Sequence, residues 1–273
     1  MPELRSRTTP LRARSVTTTP PLHPQTPQNR ADAGAGTPRD TMLVSETFTS
    51  IQGEGRLTGV PSFFIRLSGC NLRCAWCDTP YASWNPEGQT RTVAELVAEF
   101  AAARARHVVI TGGEPMIFPQ VEPLARALKD AGAHITIETA GTVFRDLPCD
   151  LMSISPKLSG SAPQPGDPRD PTGVWRQRHE ERRIDTQALT RLIERYPQRQ
   201  LKFVICTQAD MDEIEGLLAR LPAIAPDEVL LMPEGVAEPS PEQRALVTQA
   251  CIRHNWRYCH RLHITLYGNR RGT

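Results

Sequence analysis

Three cysteines stand within eight residues, Cys70, Cys74 and Cys77, in the spacing C-x3-C-x2-C. Thiolates this close on one loop can converge on a single metal centre, and a 4Fe–4S cluster ordinarily takes four of them, one per iron. Three leave one iron open to an outside ligand, which separates a catalytic cluster from a purely electron-carrying one. Structural zinc is the alternative. It needs a fourth ligand such as Cys149 or a histidine, and no cysteine or histidine lies at finger-like spacing. Cys149, Cys206, Cys251 and Cys259 are scattered and read as small buried apolar residues. No apolar signal segment precedes the cysteines, so no disulfide framework is expected, and a reducing compartment, the cytoplasm, is.

The loop must be held by regular elements, and from Met42 onward strands and helices alternate. Ser62–Leu67 is an apolar strand leading into the cysteines. Thr92 caps a helix, with Glu95 completing a capping box and Val93, Leu96, Val97 and Phe100 on one face. His107–Ile110 is the next strand, ending in Thr111-Gly112-Gly113-Glu114-Pro115, and a helix with Val121, Leu124, Ala125 and Leu128 inward follows. Strands at His134–Glu138 and Leu151–Ile154 come next. Residues 158–181, rich in Pro, Gly, Ser, Asp and Arg, read as an inserted loop serving as a lid. A helix around Leu189, Leu192, Ile193 and Tyr196, a strand at Leu201–Ile205 and a helix with Ile214, Leu217, Leu218 and Leu221 resume the pattern. A strand at Glu228–Met232, a helix from Pro241 to His254 and a closing stretch, Arg257–Leu266, complete it. Repeated βα units imply a parallel sheet with helices outside. About six strands are too few for a closed barrel, so an α/β fold is expected: an open, partial barrel with its site at the C-terminal strand ends.

Residues 1–41 differ, with seven prolines, many threonines and arginines, and no periodicity. They read as a disordered tail or a misassigned start, with translation beginning at Met42, in preference to a targeting peptide, whose amphipathic helix the prolines oppose. The 273 residues carry a formal net charge of +2, which gives no strong pull toward nucleic acid or anionic membrane, and no apolar run reaches membrane-spanning length. Only three lysines, Lys129, Lys157 and Lys202, stand among 29 arginines, which draws attention to Lys157 and Lys202.

Trp76 makes the cysteine loop C-x3-C-x-aromatic-C, and with the Gly112-Gly113-Glu114-Pro115 turn after a strand it resembles the radical S-adenosylmethionine superfamily. Ser50-Ile51-Gln52-Gly53-Glu54-Gly55, Arg66-Leu67-Ser68-Gly69 and Cys77-Asp78-Thr79 narrow the resemblance to the 7-carboxy-7-deazaguanine synthase family. Glu138-Thr139-Ala140-Gly141, Ser155-Pro156-Lys157, Leu201-Lys202-Phe203-Val204, Arg261-Leu262-His263 and Gly268-Asn269-Arg270-Arg271-Gly272 follow in the family's order, so that it spans essentially residues 42–273. Ala140 replaces a commoner serine or asparagine.

That resemblance implies a 4Fe–4S cluster on Cys70, Cys74 and Cys77, S-adenosyl-L-methionine chelating the open iron, and Mg²⁺. One electron cleaves the carbon–sulfur bond, and the resulting radical abstracts a substrate hydrogen. The implied reaction contracts 6-carboxy-5,6,7,8-tetrahydropterin to 7-carboxy-7-deazaguanine with loss of ammonia. S-adenosylmethionine is expected at Trp76, Asp78, Gly112, Gly113, Glu114, Ser155, Pro156, Lys157, Met232, Pro233, Glu234 and Gly235, and Mg²⁺ at Thr79. The substrate is expected at Ile51, Gln52, Gly53, Glu54, Arg66, Thr111, His263 and Thr273, with Arg66 on its carboxylate. Partners expected are an electron donor such as flavodoxin or ferredoxin and a second copy in a homodimer. The plainer readings are a turn at Gln52–Gly55, a surface Arg66, Thr79 as a helix N-cap, and His263 in packing. A glycyl-radical activase is the alternative within the superfamily.

Overall fold

The computed structural model describes residues 40–273. The expected tail lies, up to residue 39, outside the described residues. Strand β1 (Thr41–Ile51) turns back through residues 52–60 into β2 (Pro61–Leu67), the strand that leads to the cysteines. A short helix α1 (Pro80–Ser83), the edge strand β3 (Gln89–Thr92) and helix α2 (Val93–Ala102) follow. Next come β4 (His107–Gly112), α3 (Val121–Asp130), β5 (His134–Thr139) and β6 (Leu151–Ile154). The chain continues through α4 (Val174–Arg182), α5 (Thr186–Arg195), β7 (Arg199–Ile205), α6 (Ala209–Leu218) and β8 (Val229–Pro233). It closes with α7 (Pro241–His254), β9 (Arg257–Tyr258) and α8 (Leu262–Tyr267).

One open sheet orders these strands β3-β1-β2-β4-β5-β6-β7-β8-β9. From β2 to β9 every neighbour is parallel, whereas β1 runs antiparallel to both β2 and β3. The six expected parallel strands are present, and the antiparallel pair β1 and β3 extends them on one edge. β1 begins at Thr41, beside Thr92 of β3, one residue before the expected boundary.

Side chains alternate along each strand. Ile65 and Leu67, Val108 and Ile110, Ile135 and Ile137, Met152 and Ile154, and Leu201, Phe203 and Ile205 face the helices in one core. Their neighbours Arg66, Thr111, Glu138, Ser153 and Lys202 point the other way and line a cavity. The helices begin and end as their sequences dictate. Thr92 and Glu95 form the expected capping box, Asp185 accepts from Gln187 and Ala188, Ser240 caps α7, and Asn255 ends it in the left-handed region.

The segment expected as a loop at 158–181 ends in a helix, α4. Apolar periodicity could not reveal it, because in VWRQRHEER the buried residue is His179. No residue of 158–182 lines the cavity.

At the N-terminal strand ends, His107 bridges Ser62 and Thr136. Ser62 donates its proton to the Val60 carbonyl, so His107 Nδ1–H donates to Ser62 and Nε2 accepts from Thr136. Burial, reinforced by nearby His134 against a smaller opposing effect of Asp150, lowers its pKa to about 4. An unfolded imidazole titrates near 6.5. Between these values the unfolded chain binds a proton that the native fold refuses, so this contribution is complete above about pH 6.5 and lost as pH falls toward 4. The urea midpoint is therefore expected to drop between about pH 6.5 and about pH 5, and His107→Asn to flatten that part of the profile. Parallel profiles for the two proteins would contradict it.

Candidate active site

The inward side chains at the C-terminal strand ends enclose a cavity of about 670 Å³. Parallel register sets Arg66 beside Thr111 and Glu138 beside Ser153. The Thr111 hydroxyl donates to one Glu138 oxygen at 3.0 Å, and Gln52 Nε2 donates to the other at 3.2 Å. Next to them Lys202 pairs with Glu54, Glu54 with Arg261 at 2.9 Å, and Arg261 with Asp78. Arg261 also donates to the Gly235 carbonyl. Burial alone would raise the pKa of Glu54, but Lys202 and Arg261 outweigh it and hold the carboxyl well below the usual range. Burial likewise opposes charge on Lys202, and Glu54 and Glu138 reverse that and keep it protonated.

Glu46 organises the mouth. It accepts from Arg66 Nε and from the Tyr81 hydroxyl, each at 2.8 Å, and pairs with Arg271 at 3.4 Å. Arg271 lies over the Tyr81 ring at 4.1 Å, which draws the C-terminal residues, Thr273 among them, to the cavity. His263 packs against Gly53, where an added Cβ would fall 2.0 Å from its Nδ1, and the Leu262 amide donates to the Gly53 carbonyl.

The cysteine loop closes one end. Trp76, Cys77, Asp78 and Thr79 line the cavity, while Cys74 is buried and Cys70 half-buried behind them. Thr79 occupies the N-cap position of α1 but makes no capping bond, and its hydroxyl stands 3.8 Å from Cys77 Sγ. Burial pushes the Cys74 thiol up to about 12 against the opposing pull of Lys157 and Arg73, and raises Cys70 as well. Such thiols stay protonated alone and lose the proton on binding metal. Three soft sulfur donors, with no carboxylate or imidazole among them, suit iron–sulfur ligation and not Mg²⁺. Among the described residues no three His, Cys, Asp or Glu side chains converge as they would on a single ion. The fourth zinc ligand is missing too. Cys149 precedes β6, at the sheet end opposite the loop, and His179, which packs on the loop, has both ring nitrogens engaged.

The glycines of the Gly112–Pro115 turn approach the backbone of that loop. An added Cβ would lie 2.1 Å from the Leu67 carbonyl at Gly112, whose φ is +146°, and 2.2 Å from the Gly69 carbonyl at Gly113. Glu114 lies behind the cavity wall. It accepts from the Met116 and Ala140 amides and the Thr139 hydroxyl at 2.7–2.9 Å, and burial raises its pKa. Of the expected S-adenosylmethionine residues, Trp76, Asp78, Gly112, Gly113, Ser155, Lys157, Met232, Pro233, Glu234 and Gly235 line the cavity. Glu114 and the buried Pro156 do not. All the expected substrate residues, Ile51, Gln52, Gly53, Glu54, Arg66, Thr111, His263 and Thr273, do line it. Sequence reasoning gave no role to Glu138, Lys202, Arg261, Glu46 or Tyr81. The rarity of lysine was the signal for Lys202, and Glu138 and Arg261 sat inside motifs already singled out.

Residues 64–207 match the family model of the radical SAM superfamily. A 7-carboxy-7-deazaguanine synthase of Rhodopirellula baltica is 45% identical over 89% of this chain and 95% of its own length. One from Halobacterium salinarum is 41% identical over 91% and 98%. The crystal structure of QueE from Escherichia coli superposes with a TM-score of 0.63 at 29% identity, covering 82% of this chain and 95% of that one. No helix among the described residues is long and apolar enough to cross a membrane. The cysteine loop, the open parallel sheet and these likenesses agree: the chain belongs to the 7-carboxy-7-deazaguanine synthase family of radical S-adenosylmethionine enzymes, a family that implies a 4Fe–4S cluster and S-adenosylmethionine.

Proposed function

We propose that the chain converts 6-carboxy-5,6,7,8-tetrahydropterin to 7-carboxy-7-deazaguanine with release of ammonia, using Mg²⁺ besides the cluster and S-adenosylmethionine. One observation carries the reading: a single cavity is lined both by Trp76 and Cys77 and by Gln52, Glu54 and Arg66. Cys70, Cys74 and Cys77 would hold the cluster, which when bound supplies the electron that S-adenosylmethionine needs. Ser155, Lys157 and Met232–Gly235 would seat that cofactor beside Trp76, where Lys157 already lies over the indole at 5.8 Å. Asp78 and Glu114 would act through the walls they brace.

A pterin edge presents donors and acceptors in one plane. Gln52, Glu54, Thr111 and Glu138 offer carbonyl, carboxylate and hydroxyl groups held by one another, so that little reorganisation is needed on binding. Arg66 keeps N–H groups beyond its Nε bond to Glu46 for the substrate carboxylate. Thr79, with no capping bond, is the protein oxygen for Mg²⁺, which takes few protein ligands and keeps several waters. His263 and Thr273 would close over the substrate. A flavodoxin- or ferredoxin-type donor and a homodimer complete the proposal.

Anaerobically reconstituted protein given the pterin, S-adenosylmethionine, Mg²⁺ and a reductant is expected to form 7-carboxy-7-deazaguanine, read by mass spectrometry. Reductive cleavage of S-adenosylmethionine without that product would overturn the substrate assignment. Cys70→Ala, Cys74→Ala and Cys77→Ala should each lose bound iron and sulfide, and Cys251→Ala should not. Thr79→Val should keep the cluster but lose stimulation by Mg²⁺.

Lys202→Met leaves Glu54 with Arg261 alone. Stranding one partner of a buried pair costs about 3–5 kcal/mol, and Arg261 should hold the loss toward the lower end. The double variant Glu54→Gln/Lys202→Met, in which Arg261 keeps Asp78, should unfold at a higher urea concentration than Lys202→Met. The reverse order would show that the pair is not coupled.

A further inference from the structure

Residues 158–182 line no part of the cavity, yet they grip the cysteine loop. The two backbone amides that flank Cys74 both end in this segment. Arg73 N–H donates to His179 Nδ1 at 3.1 Å, and Ala75 N–H donates to the Ser161 carbonyl at 2.8 Å. His179 Nε2 lies 2.9 Å from the Ser161 hydroxyl, which lies 2.6 Å from the Leu158 carbonyl.

These contacts admit one assignment of protons. An amide only donates, so Nδ1 accepts. A carbonyl only accepts, so the Ser161 hydroxyl donates to Leu158 and takes the proton of Nε2. The neutral Nε2–H tautomer satisfies every partner. His179 has no exposed surface, and burial lowers its pKa to about 4, in keeping with a neutral ring.

The loop carbonyls are held from the same side. Arg169 donates to the Ala75 carbonyl at 2.9 Å, and the Arg73 guanidinium donates to the Cys70 and Leu72 carbonyls at 2.7 Å while lying 3.9 Å over the ring of Trp175 in α4. The loop's backbone is therefore held in part from outside the cavity, by a segment that lines no part of it.

We propose that His179 is the positioning residue of the cysteine loop, holding the Arg73 amide on its Nδ1 so that Cys74 keeps its orientation and that amide stays away from the cluster sulfurs. Hydrogen bonds to the sulfurs help set a cluster's potential, and a donor near them favours the more negative, reduced state. The Leu72 amide already donates to Cys70 Sγ at 3.3 Å and the Ser83 hydroxyl lies 3.1 Å from Cys77 Sγ. With the Arg73 amide held by His179, no further donor is added to these, and the potential is kept from rising. The inference rests on the cysteine loop holding the cluster, so the experiment has one arm that needs no cluster.

In the first arm, hydrogen exchange of peptide 70–77 is followed by mass spectrometry in the metal-free full chain. His179→Ala is expected to speed it by about tenfold, as for loss of one buried hydrogen bond. His179→Asn, whose carbonyl can stand in for Nδ1, should stay near wild type. His179→Gln, which reaches instead toward Ser161, should exchange fast. In the second arm, reductive titration of the reconstituted proteins, followed by electron paramagnetic resonance, should show a higher midpoint potential for His179→Ala and His179→Gln and a wild-type value for His179→Asn.

Wild-type exchange and potential in His179→Ala would overturn the proposal. If His179→Ala loosens the whole domain, seen as faster exchange across 134–139, the Asn and Gln variants decide, and identical behaviour of those two would overturn it equally. Failure of the wild type to take up iron and sulfide would sink the cluster reading instead, and the exchange arm reads separately from that.

Discussion

Side-chain alternation along the parallel strands decides where this molecule can hold charge. A strand covered by helices on one face must give alternate residues to the apolar core, which leaves the others for the concave side. Here Ile65, Ile110, Ile137, Ile154 and Phe203 meet the helices. Arg66, Thr111, Glu138, Ser155 and Lys202, each an immediate neighbour in sequence, therefore face the cavity. A one-residue slip would bury a charge among the helices in β2, β5 or β7 and a hydroxyl in β4 or β6, and would turn an apolar side chain to the site. Fold stability and site composition thus depend on the same register.

Concentrating charge on the concave face brings its own requirement. A buried carboxylate or ammonium costs several kcal/mol unless it is compensated. Glu54 is met from two sides by Lys202 and Arg261, and Glu46 by Arg66, Tyr81 and Arg271. These partners come from β7, β2, α1 and the C-terminal residues, so the last turn of the chain completes the electrostatics of the first hairpin. His263 against Gly53 and Leu262 on the Gly53 carbonyl show the same dependence in packing. A cavity polarised this way suits a substrate that is itself dense in donors and acceptors.

Much of this was legible in the sequence, and the exceptions have physical causes. The parallel strands and α2, α3, α5 and α7 announced themselves, α2 through its Thr92 cap as well as its apolar periodicity. β1 and β3 did not, because they pair antiparallel at one edge and bury few side chains, in β1 only Met42 and Val44. α4 was invisible because its buried residue is a histidine. The cysteine loop and Gln52–Glu54 could be read as motifs, since their spacing is local. Glu46, Tyr81 and Arg261 gain meaning only from partners far along the chain: Arg261 and Glu54 are 207 residues apart, and no local pattern encodes that contact. Glu114 was legible as a motif residue, but its placement was not, because a strand-end carboxylate can face the cavity or brace its wall.

The cysteine loop has no regular structure, and ordering a residue costs roughly 1–2 kcal/mol of backbone entropy. A cluster held by this loop, as proposed, would need the loop fixed. The fold meets that cost from three directions. The Gly69 amide donates to the Ala82 carbonyl of α1, and the Gly113 and Glu114 amides donate to the Leu67 and Gly69 carbonyls. Trp84 holds the Cys74 carbonyl, and the 158–182 segment holds the amides on either side of Cys74. Every one of these ties joins protein to protein. The geometry of the three thiols is thus a property of the fold, and glycine at 112 and 113 is what lets the β4 turn come close enough to take part.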